Sequence, residues 1–467
     1  MRGSRGRLRY GSFVRFAFVA ALTLGTSALL AATAGEARAN GRFPETNALF
    51  FAPNDPDFVI LRTTFGEIIS RDHGKTWDWV CERSVGLAGV EDPMHAITPD
   101  GTLVSSTFQG LAVSHDRGCN FSFVGGDLKE LVFIDLTSRP STPGTVVAFA
   151  SSYAGTDDAM AVFFKSTLFE TTDQGRSFTA LSAPFDPTLL GETVDVTESD
   201  PDRIYVSAVR NPGSAVAAVF LTSKDHGKSF EENPIAMVGD ERAAFIAGVD
   251  PTNANRVYVR TSNASDKPSR LLVTDDAGKS FRTIFTGTGP LAGFALSDDG
   301  KRVYVGGMKD GLRAASTTDF AWQLRSPIEI GCLKMNKDGL WACSTEKSGF
   351  VAGLSTDDGA TFKPQLHFCD IRGPLDCPAG TTTNNECSLG VSANNTAPWP
   401  SQRAVLGCSG PTLPEGGSAD GGADAATPPG SGDGDDGGCA VRAPSASPFA
   451  ALLAGLVATI ALLRRRR

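Results

Sequence analysis

The sequence predicts an all-β fold, a seven-bladed β-propeller, flanked by a signal peptide at one end and by a C-terminal linker plus hydrophobic helix at the other. Three observations carry the propeller. An octet that reads Ser/Thr-x-Asp-x-Gly-x-Thr/Ser-aromatic occupies residues 70–77 and returns at 114–121, 171–178, 223–230, 274–281 and 355–362. A worn copy at 317–322 keeps the Asp and the aromatic but lacks the Gly. The Asp residues of the series, Asp72, Asp116, Asp173, Asp225, Asp276, Asp319 and Asp357, follow one another at intervals of 44, 57, 52, 51, 43 and 38 residues. A period of that size marks a repeat array. Between successive octets lie short apolar runs separated by turn residues, four to a repeat, which is the pattern of a propeller blade.

Each octet reads as a tight turn. The Asp carboxylate accepts hydrogen bonds from nearby backbone N–H groups, the Gly permits positive φ, and the hydroxyls tie the flanking strands together. The motif resembles the Asp-box, or BNR repeat, of the sialidase-like and sortilin-like β-propellers, over residues 47–368. That resemblance implies a turn between the third and fourth strands of each blade, with the seven Asp residues structural and placed at the periphery. Seven blades are expected; six is the alternative if the copy at Asp319 belongs to a merged blade.

The ends are of a different kind. Five arginines by Arg15, an apolar run over 16–32 and an Ala37-Arg38-Ala39 site make residues 1–39 a secretory signal peptide. The propeller is assigned to 40–368, a Cys-rich segment to 369–410, and a disordered Gly/Asp/Pro linker to 411–438, which has almost nothing to bury. Residues 439–467 hold Cys439, an apolar run over 449–463 and four terminal arginines. That run is short for a stable membrane span. The combination resembles the C-terminal sorting signal of myxobacterial surface proteins, which implies that Cys439 is the anchoring residue; an unprocessed tail anchor is the alternative.

Removing the six Arg and one Glu of residues 1–39 and the five Arg of 440–467 from 43 basic and 52 acidic residues leaves 32 and 51, a net charge of −19. Nucleic acid is thereby excluded as an expected partner. Eight cysteines besides Cys439 fit an oxidising compartment. The Asn336-Lys337-Asp338-Gly339 turn sets Met335 opposite Leu340 and hence Cys332 opposite Cys343, so these two are expected to be bonded. Cys81 and Cys119 are the next expected pair, joining the first two blades. Cys369, Cys377, Cys387 and Cys408 then form a knot with three pairings open. No C-x-x-C spacing favours zinc.

Taken in order, blade one reads as strands at 47–52, 58–63, 67–70 and 76–80, and blade two as 94–98, 102–106, 111–114 and 121–124. Blade three runs over 130–180, four over 193–230 and beyond, five over 243–285, six over 291–324 and seven over 328–366. Blades four to six repeat Arg-x-Tyr-Val at Tyr205, Tyr258 and Tyr304, so these tyrosines and Arg203, Arg256 and Arg302 read as framework. The chain starts on an innermost strand and ends on an outermost one, so ring closure lacks a shared blade, and the Cys-rich segment is the candidate clamp of last blade to first.

The sequence leaves enzymatic activity undecided and weighs against it. The sialidase resemblance would require three arginines for a carboxylate, a Tyr–Glu nucleophile and an acid/base Asp. Arg42-Phe43-Pro44 matches the corresponding Arg-Ile-Pro motif poorly, and Tyr153 alone is spare, far from the late blades where that family places its nucleophile. A carboxylate-pair glycosidase, as among xyloglucan-degrading enzymes, could draw on Glu91, Asp92, Asp157 and Asp158, though acidic loop residues are usually solvated surface. His73, His115 and His226 fill the variable slot of the octet, His95 and His367 stand alone, and no metal-binding spacing, nucleophile elbow or phosphate loop occurs.

The expected function is a non-catalytic binding module for a surface protein or glycan, exported and anchored to the cell envelope, with no cofactor, metal or nucleic acid. Binding is assigned to loops opposite the octets, at 81–93, 151–158, 210–214, 263–269 and 309–311. A sialidase-like or xyloglucanase-like glycoside hydrolase using carboxylates on the propeller face is the alternative, and a structural envelope protein the third.

Overall fold

The computed structural model describes residues 43–87, 91–139, 142, 144–158, 161–210, 216–263 and 267–408. The signal peptide, the Gly/Asp/Pro linker, Cys439 and the apolar tail lie outside the described residues. Residues 1–43 form a unit of which only Phe43 is described, and the second unit, 44–467, holds the propeller. No helix among the described residues is long and apolar enough to cross a membrane.

Seven four-stranded antiparallel sheets follow one another along the chain. Blade one is β1 (Thr46–Ala52), β2 (Asp55–Thr63), β3 (Gly66–Ser70) and β4 (Asp78–Val80); blade two is β5 (His95–Ile97), β6 (Leu103–Thr107), β7 (Gly110–Ser114) and β8 (Ser122–Phe123). Blade three is β9 (Phe133–Ser138), β10 (Val146–Thr156), β11 (Val162–Thr171) and β12 (Thr179–Ala180); blade four is β13 (Leu189–Val196), β14 (Ile204–Arg210), β15 (Ala217–Ser223) and β16 (Glu231–Ile235). Blade five is β17 (Glu241–Val249), β18 (Val257–Asn263), β19 (Arg270–Thr274) and β20 (Arg282–Thr286), and blade six is β21 (Gly293–Leu296), β22 (Arg302–Gly307), β23 (Gly311–Ser316) and β24 (Gln323–Ser326). Blade seven is β25 (Cys332–Asn336), β26 (Gly339–Cys343), β27 (Ala352–Ser355) and β28 (Lys363–Leu366). The worn octet therefore closes a blade of its own, and the six-blade alternative falls.

The first strands form the inner ring, each touching the next from β1 through β25 and back to β1. The second and third strands are sandwiched between neighbouring blades, which is why β3, β6 and β7 are buried along their whole length. The same geometry buries Tyr205, Tyr258 and Tyr304, as expected of framework residues. Tyr304 donates to Asp358 Oδ1 of the next blade at 2.6 Å.

Ring closure between blades seven and one is non-covalent. Thr46 donates from its hydroxyl to the Val351 carbonyl at 2.8 Å, and Trp77 Nε1 donates to Gln365 O at 3.1 Å. A single cluster packs Leu49, Trp77 and Trp79 of blade one with Trp341 and Leu366 of blade seven and with Phe368, Ile371 and Trp399 beyond it.

The cysteines depart from expectation at two points. Cys332 and Cys343 face one another across β25 and β26 and are bonded. Cys81 and Cys119 are not joined: Cys81 bonds Cys387, Cys119 bonds Cys377, and Cys369 bonds Cys408. None of the three pairings within the C-terminal four is realised in full: Cys369–Cys408 loops the segment back on itself, while Cys387 and Cys377 reach out to Cys81 and Cys119. After β28 the segment returns to the outer edge of blade one, where Trp79 N donates to Gly373 O (2.7 Å) and Leu375 N to Trp79 O (2.8 Å) in a parallel bridge. Two disulfides then staple it to the first two blades, so the clamp of last blade to first extends to the second.

Candidate functional site

The octets build one repeated turn. In blade one the Ser70 hydroxyl donates to Asp72 Oδ1 (2.9 Å) and accepts from Gly74 N (2.8 Å), while the Thr76 amide donates to Oδ1 (2.9 Å) and its hydroxyl to Oδ2 (2.6 Å). Asp173, Asp225, Asp276 and Asp357 are held in the same way. For Asp116 the Asn120 side-chain amide replaces the hydroxyl, donating to Oδ2 at 2.8 Å. Asp319 keeps one bond of this kind, from Ala321 N at 3.1 Å, since the Gly that would close the turn is missing. Donors aimed at a carboxylate favour its ionised form. The Ser229 and Thr361 hydroxyls, each with its amide, hold Asp225 and Asp357 down to about 2. Burial pushes Asp173 and Asp276 upward, but their hydroxyl and amide donors outweigh it and leave both at about 2.

The slot before the Gly, variable in sequence, has one fixed task. His73, Arg117, Gln174, His226, Ala277, Phe320 and Asp358 all sit at positive φ, between 52° and 65°. Each thereby reaches back to the preceding blade. His73 Nε2 lies 3.1 Å from Asp338 of blade seven, Arg117 pairs with Asp55 of blade one, and Gln174 Oε1 accepts from Asp100 N of blade two at 3.2 Å. His226 Nε2 meets Glu170 of blade three at 3.1 Å, and the Ala277 carbonyl accepts from the Thr222 hydroxyl of blade four at 2.8 Å. The Phe320 ring lies under the Arg282 guanidinium of blade five at 5.0 Å, and Asp358 accepts from Arg302 Nε of blade six at 3.0 Å. The turns are interblade clasps.

In an up-and-down blade the first-to-second and third-to-fourth turns share one end, and the second-to-third turns and interblade links share the other. The clasps crowd the first end. None of the exposed large apolar side chains among the described residues lies in its turns. On the opposite end Tyr153 is 55 % exposed, Val238 59 % and Met308 41 %. Tyr153 stands on a hairpin that projects: β9 pairs with β10 only through Ala150, while β10 and β11 continue together to Thr156 and Val162.

Three of the four carboxylates nominated for hydrolysis hold amides. Glu91 is buried and accepts from Phe108 N (2.9 Å) and Gln109 Nε2 (3.2 Å); Asp92 accepts from Asn47 Nδ2 (3.1 Å); Asp157 accepts from Ala161 N (2.8 Å). Asp158 is exposed at the tip of the hairpin. Residues 88–90, 211–214 and 264–266 of the nominated loops lie outside the described residues.

Sequence reasoning missed two features. His95 does not stand alone: its Nε2 lies 3.0 Å from Glu67 Oε1 and its Nδ1 2.8 Å from Ser105 Oγ. This Ser–His–Glu line has the order of a nucleophilic triad but is sealed between blades one and two, all three residues being at most 4 % exposed, so no substrate reaches it. His367 likewise has a partner, Glu346 Oε2 at 2.8 Å. The second feature lies on the inner ring. Asp135 on β9 accepts from Val194 N (2.8 Å) and Leu136 N (2.9 Å), yet burial raises its carboxyl to about 7. Glu192, the extra residue of a bulge in β13, has a carboxyl that receives no donor among the described residues and is raised by burial to about 8. Burial also pushes Asp195 up, against donors from Val196 N and Thr137 and the charge of Lys334. The signal available was an acid directly after Leu189-Leu190-Gly191 at the apolar start of a strand. Among the described residues no group of three or more His, Cys, Asp or Glu is placed to hold a metal ion.

Residues 109–299 match the family model described as sortilin, neurotensin receptor 3. That match and the seven blades support a sortilin-like β-propeller. No curated protein matches the chain. Among solved structures, an ancestral GH74 enzyme aligns at 13 % identity and a TM-score of 0.50, over 69 % of this chain and 46 % of that one. The extracellular domain of a one-component system from B. thetaiotaomicron aligns at 13 % identity and 0.43, over 65 % and 38 %. A GH74 xyloglucanase from Xanthomonas campestris aligns at 15 % identity and 0.34, over 68 % and 64 %. The chain spans about half the length of the first of these, and the likeness is one of fold.

Proposed function

We propose that this chain is an exported, envelope-anchored propeller that binds a surface protein or a glycan without turning it over, through the face opposite the clasp turns. The observation that carries the reading is the distribution of exposed apolar side chains. Tyr153 on its projecting hairpin, with Val238 and Met308 on the same face, offers an amphipathic contact surface, whereas the clasp end offers none among the described residues. Large exposed apolar groups on an otherwise charged chain favour a partner surface.

A hydrolase of this architecture needs two carboxyl groups facing across a groove. Glu91, Asp92 and Asp157 hold backbone and side-chain amides and Asp158 stands exposed at the hairpin tip, an arrangement that supports binding over a facing carboxyl pair. The four disulfides fit an oxidising, exported setting. Anchoring is assigned to Cys439 and the segment after it.

The test is an array of glycans, polysaccharides and surface-protein extracts probed with the full chain, scoring binding and released product together. Binding without product is the expected result. Released sugar would reverse the reading in favour of a hydrolase.

A further inference from the structure

The returning C-terminal segment does more than close the ring. Held by the Cys81–Cys387 and Cys119–Cys377 bonds, it stands beside the short helix α1 (Glu82–Val85) and β8, and leaves two adjoining cavities of about 480 and 330 Å³ that share Arg83 and Glu386. Both walls are covalently fixed, so the groove is formed in advance of any ligand.

The chemistry of its lining is specific. Phe123 is 41 % exposed and packs over Gly86, where φ is +88° and an added Cβ would lie 2.7 Å from the ring. The ring is thus a platform set by a residue that must be Gly. Glu386 accepts from Ser392 through Oε1 at 2.8 Å, while its Oε2 is buried with no partner among the described residues. On the second cavity Gln402 Nε2 is a buried donor, also with no partner among the described residues. Arg83 is exposed and makes no ion pair among the described residues.

We propose that this groove is a subsite for an uncharged sugar ring. The first cavity holds the flat apolar platform and an unused acceptor and the adjoining one an unused donor, and Arg83 and Glu386 of the shared wall, with Glu82 in the second cavity, leave no excess of positive charge. The complementary ligand has a C–H face to lay on Phe123 and hydroxyls around its rim that both donate and accept. Its overall charge is zero. A uronate would set its carboxylate against Glu386, and a purely apolar ligand would leave the polar atoms unmet at a cost. The proposal rests on the binding reading above and narrows it to a glycan at one place.

The test is calorimetry on the full chain with cellohexaose, xylohexaose and maltohexaose, and with hexagalacturonate as the charged control. Phe123→Ala and Glu386→Gln are compared with Lys228→Ala on the clasp end as the control and with Tyr153→Ala on the projecting hairpin. At least one neutral hexasaccharide is expected to bind, and each groove variant to weaken it roughly tenfold, the scale of one aromatic or charged hydrogen-bonding contact. The thermal midpoints are expected to hold, since Phe123 is half exposed and Gln keeps the Ser392 bond. Lys228→Ala, at an exposed position of a clasp turn, should leave this binding unchanged. Tighter binding of hexagalacturonate, neutral binding indifferent to both groove variants, or no neutral binding at all would each overturn the subsite. Ligand capture lost only in Tyr153→Ala would overturn it while leaving the face-binding reading intact.

Discussion

At the scale of single residues, the same carboxyl group does opposite things in two places. Asp72 in its turn is surrounded by donors, Ser70 and Thr76 hydroxyls and the amides of Lys75 and Thr76, so its ionised form is the stable one. Replacing it, Asp72→Ala, strands those donors and should cost about 1–3 kcal/mol, read as a lowered denaturant midpoint with an unchanged slope. Asp319→Ala, at the worn copy with its one surviving bond, should cost far less. Glu192 has no donors among the described residues, and burial raises its carboxyl to about 8 from an ordinary 4.5. Because the folded value is the higher one, the stability Glu192 contributes is complete below its unfolded value and drains away as pH rises through about 8. Glu192→Gln should therefore match the parent at pH 4 and exceed it by about 1–3 kcal/mol above pH 8, allowing for the partial exposure of the side chain. Equal stabilities at high pH would show that the carboxyl is freely solvated. The turn acid was legible because its octet is local and recurrent. The ring acid was not, because its burial is created by inner strands from other blades.

At the scale of elements, the turn is the unit that both folds a blade and fastens it to the one before. Its local half was legible: Ser/Thr, Asp and Gly at fixed spacing dictate the hydrogen bonds without reference to the rest of the chain. The clasp half was not, since His73 must find Asp338 at the far end of the propeller sequence, and Ala277 clasps with its carbonyl and leaves no side-chain signature. Four turns share an Asp lowered to about 2, and folded values below the unfolded one mean stability that is present above about pH 4 and lost as pH falls toward 2. Acid unfolding is expected in that window, cooperatively across blades, when followed by tryptophan fluorescence and circular dichroism together. A chain that stayed folded at pH 2 would show that the turns are dispensable.

At the scale of the whole molecule, a ring without a shared blade is closed by packing and hydrogen bonds and locked by its returning tail. Cys332–Cys343 could be read from a hairpin register eleven residues apart, whereas Cys81–Cys387 spans 306 residues and depends on where the tail comes to rest. A Cys387→Ser, Cys377→Ser variant is expected to fold yet unfold at lower denaturant, by about 2–5 kcal/mol for the pair, with blades one and two losing amide-exchange protection first. Uniform loss across all seven blades would mean that the staple acts on the unfolded chain alone. The face opposite the clasps, with its projecting hairpin, is what the locked ring presents. The most direct test of that assignment is site-specific photo-cross-linking on the intact cell surface. A benzophenone side chain is placed either at Tyr153 or, on the clasp end, at Lys228. Adducts to a surface protein or glycan from position 153 and none from 228 are the predicted result, and adducts from 228 alone would contradict it.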